Sequence, residues 1–136
     1  MRLFLGLSIP PPIIAELRRQ LEEVKEVLSV RNWIRDENLH ITLIFIGEVQ
    51  PQTADALHPR LFAVAQDTNP FSLCLQGWGA FPNMRKPNLL WAGVGGDREP
   101  MNKLVNSLQE AILPIIPLRR DKRYLPHVTL TRRFHP

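Results

Sequence analysis

His40-Ile41-Thr42-Leu43 and His127-Val128-Thr129-Leu130 write one pattern twice in a chain of 136 residues. Each copy sits in a run dense in β-branched and apolar residues, 39–47 and 126–132, and each run reads as a strand. Random placement of the same residue types predicts ~0.02 copies of the tetrapeptide, so the pair is a far stronger signal than either copy alone. Successive side chains of a strand point to opposite sides. His and Thr of each copy therefore project together, while Ile41, Leu43, Val128 and Leu130 anchor the other side in a core. If the two strands face each other across a cleft, two imidazoles and two hydroxyls converge.

The surrounding sequence supplies the rest of the architecture. Residues 2–8 read as a buried first strand that ends at Pro10-Pro11-Pro12. Those prolines open a helix in which Ile13, Ile14, Leu17, Leu21, Val24 and Leu28 recur at spacings of three and four. Arg18, Arg19, Glu22, Glu23 and Glu26 occupy its other face. A second helix is expected over 53–66, kinked or broken at Pro59. Residues 71–78 alternate as a strand, and 89–94 form another. Met101, Leu104, Val105, Leu108 and Ile112 make the stripe of a third helix, closed by Pro114 and Pro117. Each half of the chain thus ends on a His-x-Thr-Leu strand.

Composition bounds the alternatives. Hydrophobic residues make up 44% and charged residues 22%, which excludes disordered, collagen-like and acidic-tail classes. One domain, 1–136, suits this length and needs no disulfide or metal staple to hold a core. Cys74 is the sole cysteine, so an intrachain disulfide is impossible and a reducing compartment is favoured. The apolar N-terminal run is interrupted by Gly6 and Ser8 and lacks the shape of a signal peptide. No run approaches 18 apolar residues, so no membrane association and a cytoplasmic location are expected. Seventeen Lys+Arg against thirteen Asp+Glu leave a net charge of +4, a weak pointer to an anionic partner.

The motif chemistry points to phosphorus. An unperturbed imidazole titrates near neutrality, so one can accept a proton while another donates one. Threonine hydroxyls can donate to non-bridging phosphate oxygens as charge grows on them. No metal or other cofactor is required. A zinc site built from the chain's 4 histidines lacks a closely spaced pair, and no cysteine pair helps.

With these residues in view, the chain resembles the 2H phosphoesterase superfamily. Within it, the likeness is to the RNA 2',3'-cyclic phosphodiesterases, also called 2'-5' RNA ligases. It extends over Arg2-Leu3-Phe4-Leu5, Glu37-Asn38-Leu39 before His40, Phe45-Ile46-Gly47-Glu48-Val49 after it, Leu90-Trp91-Ala92-Gly93-Val94, and Pro126. The resemblance implies an α+β, bilobal, pseudo-twofold fold: two antiparallel sheets with outer helices around a central cleft. It implies metal-independent opening of a terminal 2',3'-cyclic phosphate to a 2'-phosphate, with reversible 2'-5' ligation as a companion activity. His40 would be the proton donor to the leaving O3' and His127 the proton acceptor from water; the sequence alone does not order these roles. Thr42 and Thr129 would hold the phosphate. Arg132 matches a family arginine five residues after His127, although strict alternation sets it on the opposite face unless a bulge re-aims it. The expected partner is RNA with a 2',3'-cyclic phosphate end or a cyclic nucleotide, with no obligatory protein partner. Relatives continue for several tens of residues past the second motif, so the chain is expected to be short at its C-terminus. The competing function is an RNA-end-binding module without turnover.

Other residues receive blander assignments. The basic run 119–123, like Arg85 and Lys86, reads first as solvated loop and second as an RNA-backbone contact. Phe45 is expected in the core by parity, and Cys74 as a small buried hydrophobe. Trp33, Trp78 and Trp91 are expected to pack in the core or at its rim, with base stacking as the alternative. His58 and His135 receive no role.

Overall fold

In the computed structural model, the residues described are 1–25, 33–81, 89–118 and 126–132. The elements, in chain order, are β1 (Arg2–Ser8), α1 (Pro11–Lys25), a 3-10 turn (Asp36–Asn38), β2 (His40–Glu48) and α2 (Pro51–Gln66). They continue with β3 (Leu73–Phe81), β4 (Leu89–Gly96), α3 (Arg98–Ile112) and β5 (His127–Arg132). This is the expected α+β class. The five strands form a single sheet in the order β1-β2-β5-β4-β3. The resemblance implies two antiparallel sheets around a central cleft. Instead β5 pairs antiparallel with both β2 and β4, which joins the described strands through the motifs themselves.

The chain divides into two compact units. One comprises the described parts of 1–5, 43–74 and 95–125; the other comprises those of 6–42, 75–94 and 126–136. In the first unit, α2 and α3 pack together, and Arg60 Nε donates to the carbonyl of Ala111 at 2.7 Å. Leu57 of α2 and Met101, Val105, Leu108 and Ile112 of α3 are buried in its core. Pro59 does not interrupt α2. Proline removes one N–H from the helix ladder, and here Leu57 and Arg60 anchor the helix on either side of it. The turn into α3 is closed reciprocally: Asp97 N donates to Ser72 O at 2.8 Å, and Ser72 N donates to Asp97 Oδ2 at 3.0 Å.

The second unit holds both motifs. Leu17 and Leu21 of α1, Val128 and Leu130 of β5, and Ala92 of β4 are nearly or fully buried there. The α1 stripe is thus as expected at Leu17 and Leu21, although Ile13 is 42% exposed at the helix start; Glu26 and Leu28 lie outside the described residues. On its solvent face, the Arg19 guanidinium hydrogen-bonds to Glu16 and holds that carboxyl below its ordinary value.

Three burial expectations change, two on the edge strands β1 and β3 and one on β2. β1 is half-buried rather than buried, with Leu3, Leu5 and Leu7 alternating against more exposed neighbours. Cys74 is exposed, because the Ser72, Cys74 and Gln76 side of β3 is uncovered. Phe45 is 56% exposed, with the Arg2 guanidinium 5.3 Å from its ring centroid. Leu43 and Ile44 are both buried, so the alternation that assigned Phe45 to the core breaks one residue before it.

Candidate active site

Both motif strands follow the predicted alternation. His40 and Thr42 are half-buried, with Ile41 and Leu43 buried between and after them; His127 and Thr129 are half-buried, flanked by buried Val128 and Leu130. The two strands pair antiparallel with Ile41 opposite Val128. Carried one residue either way, that register sets His40 across from Thr129 and Thr42 across from His127. Directly opposite residues share a face at about 5 Å, and diagonal ones at about 7–8 Å. The four side chains thus form a square, with imidazoles on one diagonal and hydroxyls on the other.

His40 is delivered by an excursion of the backbone. Trp33 bridges Thr131, and Ile34 N donates to Leu130 O at 2.8 Å, before the chain leaves β5 and returns at Ile41. The 3-10 turn occupies that detour. Arg18 of α1 ties it down, donating through Nη2 to the carbonyl of Ile34 and through Nε to Asp36 Oδ1. The turn directs the Asn38 carbonyl at His40 Nδ1, 2.7 Å away, while His40 Nε2 lies 3.0 Å from Thr42 Oγ1. A carbonyl oxygen can only accept. Nδ1 therefore donates to it, which leaves Nε2 directed at the Thr42 hydroxyl. In the neutral ring, Nε2 accepts from the Thr42 hydroxyl.

His127 is supported differently. Fully buried Pro126 precedes it, and the Trp91 indole lies against it, ring centroids 6.1 Å apart and planes inclined by 59°. Across β4 and β5, Gly93 pairs with His127, Ala92 with Val128 and Trp91 with Thr129. The register then shifts: Leu90 pairs with Thr131, leaving Leu130 as the extra residue of a bulge. Leu130 and Thr131 are both buried in consequence. The parity that set Arg132 opposite the histidines thus ends at Leu130. Arg132 closes β5 opposite Leu89, but its side chain lies outside the described residues.

The remaining sequence candidates fall elsewhere. The basic run 119–123, Arg85, Lys86 and His135 lie outside the described residues. His58 stacks on Phe62 along α2. Trp33 is half-buried beside β5, and Trp78 is 43% exposed on β3. Among the described residues, no three His, Cys, Asp or Glu side chains gather as a metal site, and no helix is long and apolar enough to cross a membrane. A recess of about 690 Å³ opens beside α2 and α3, lined in part by Asp67, Asp97, Glu99 and Lys103, and no motif residue borders it. Two supports escaped the sequence: the Asn38 contact is made by backbone, which no side chain advertises, and Trp91, expected in the core or at its rim or stacked on a base, stands beside His127 instead.

The described strands thus bring the two His-x-Thr motifs side by side in one α+β fold. The family model described as the 2'-5' RNA ligase superfamily matches residues 7–135, and the chain belongs to that superfamily. A curated relative from Archaeoglobus fulgidus, an RNA 2',3'-cyclic phosphodiesterase, is 36% identical over 132 residues, spanning 97% of this chain and 72% of the relative. A crystal structure of a Thermus thermophilus protein superposes with a TM-score of 0.76 at 26% identity, covering 100% of this chain and 76% of that one. Escherichia coli LigT complexed with 3'-AMP gives a TM-score of 0.77 at 22% identity, over 99% of this chain and 74% of LigT, a likeness of fold.

Proposed function

We propose that this chain opens the 2',3'-cyclic phosphate at an RNA end, or in a cyclic nucleotide, to a 2'-phosphate by metal-independent acid–base catalysis. The observation that carries this reading is the square of side chains, with its imidazoles on opposite corners. Displacement at phosphorus needs a base on the side where water enters and an acid on the side where O3' departs. His127 takes the proton from water as the new P–O bond forms. His40 gives its Nε2 proton to O3' as the old P–O bond breaks, and its Nδ1 bond to Asn38 keeps that nitrogen turned toward the motif. Thr42 and Thr129, on the other diagonal, donate to the phosphate oxygens. Arg132 is a third phosphate contact; the bulge at Leu130 supports it by ending the parity that opposed it. A 5'-hydroxyl in place of water forms a 2'-5' linkage through the same proton transfers, so ligation follows from the same site. The lone cysteine, reduced and exposed, suits a cytoplasmic enzyme.

An RNA oligonucleotide ending in a 2',3'-cyclic phosphate, incubated with the protein in excess chelator, tests this. The expected product is the 2'-phosphate. Intact ends bound but unprocessed after long incubation would establish the end-binding module instead, and a requirement for added metal would overturn the mechanism.

A further inference from the structure

Trp91 stands between the backbone of β3 and the imidazole of His127. It pairs with Thr129 across β4 and β5, so it shares the face on which His127 and Thr129 stand. Its indole lies against the backbone of Gly79 on β3. A Cβ built on Gly79 would fall 2.0 Å from Trp91 Cζ2 and 2.4 Å from Cε2 and Cη2, distances no side chain tolerates. Glycine at 79 is thus the slot into which the ring fits. On the other side stands the His127 imidazole, 6.1 Å from the indole centroid. Gly93, which faces His127 across the ladder, adds no side chain that could hold the imidazole from β4.

We propose that Trp91 is a positioning residue for His127: seated on Gly79, its indole sets the orientation of the imidazole on the motif face. The proposal rests on the reading of His127 as the general base. An aromatic plate fixed against backbone blocks the arc on its own side through which the imidazole could otherwise swing. It also provides a π surface near the imidazolium formed once the base has taken its proton. Small misplacements of a catalytic group cost rate more than binding.

The test compares Trp91→Ala, Trp91→Phe, Gly79→Ala and the Gly79→Ala/Trp91→Ala double variant in the full chain. Cyclic phosphate turnover gives kcat and KM, and NMR of the His127 ring protons, assigned through His127→Ala, gives the position of the imidazole. Trp91→Ala is expected to lower kcat about tenfold with KM within about twofold, and to move the His127 ring resonances as the indole ring current is lost. Trp91→Phe should restore most of kcat. Gly79→Ala should reproduce Trp91→Ala, and should cost nothing further once the indole is gone. Unchanged kcat in Trp91→Ala, unmoved His127 resonances, or equal damage from Gly79→Ala with and without the indole would each overturn the proposal. Should wild-type protein fail to open the cyclic phosphate, the catalytic reading falls, and the His127 resonances still report whether the indole fixes the ring.

Discussion

The strands β2 and β5 carry the same tetrapeptide pattern in unlike surroundings. β5 lies in the middle of the sheet, paired on both sides and bulged at Leu130. β2 lies one strand from the edge, and the chain enters it through a 3-10 turn pinned to α1 by Arg18. His40 is fixed by polar atoms, the carbonyl of Asn38 and the hydroxyl of Thr42. His127 stands against an indole. A repeated motif therefore need not mean repeated surroundings: the pattern supplies the two imidazoles, and the proposed division of proton roles between them is open to direct test.

Removing either imidazole should have the largest effect. His40→Ala and His127→Ala are each expected to lower kcat/KM by about 10²–10⁴-fold, the usual yield of a positioned acid or base, with thermal unfolding nearly unchanged. Should one variant keep near-wild-type turnover, the two strands do not share the work. The hydroxyls come next. Thr129→Val should cost roughly 10–100-fold in kcat. Thr42→Val should cost more, because Thr42 also contacts His40 Nε2. Equal losses would erase the asymmetry between the strands.

Smaller again is Arg18→Ala, which releases Ile34 and Asp36 but touches no reacting group. A fall of about threefold to tenfold in kcat, with Lys at the position restoring only part, is expected because Lys lacks the two-pronged reach of Arg. The smallest effect belongs to Arg19→Ala. Its partner Glu16 is held below its ordinary value, so the pair's contribution to stability is present above the unfolded carboxylate range and is lost as pH falls through the folded value. Both groups are solvated, so melting temperatures at neutral pH should agree within replicate error, and activity should be unchanged.

Much of this was legible before the structure. Period-two alternation assigned Ile41, Leu43, Val128 and Leu130 to the core, and helical periodicity assigned Leu17, Leu21 and the α3 stripe. What failed was parity carried too far: at Ile44 and Thr131 two neighbours are buried in succession, and Phe45 is exposed as a result. A bulge depends on how partner strands align, which local sequence does not encode. Which strands become edges is likewise a property of the assembled sheet, so β1 and Cys74 were placed too deep. The supports of the histidines were hidden for a third reason. Asn38 acts through its backbone, and Gly79 through the atoms it lacks.

The proposed mechanism gives His40 and His127 opposite roles, and leaving-group ability separates them. In a 3'-deoxynucleoside 2'-(4-nitrophenyl phosphate), nitrophenolate takes the place of O3' and departs without needing a proton. Measured against the ordinary cyclic phosphate, His40→Ala should recover most of its lost rate on this substrate while His127→Ala stays impaired. Recovery by His127→Ala instead, or equal recovery by both, would contradict the assignment.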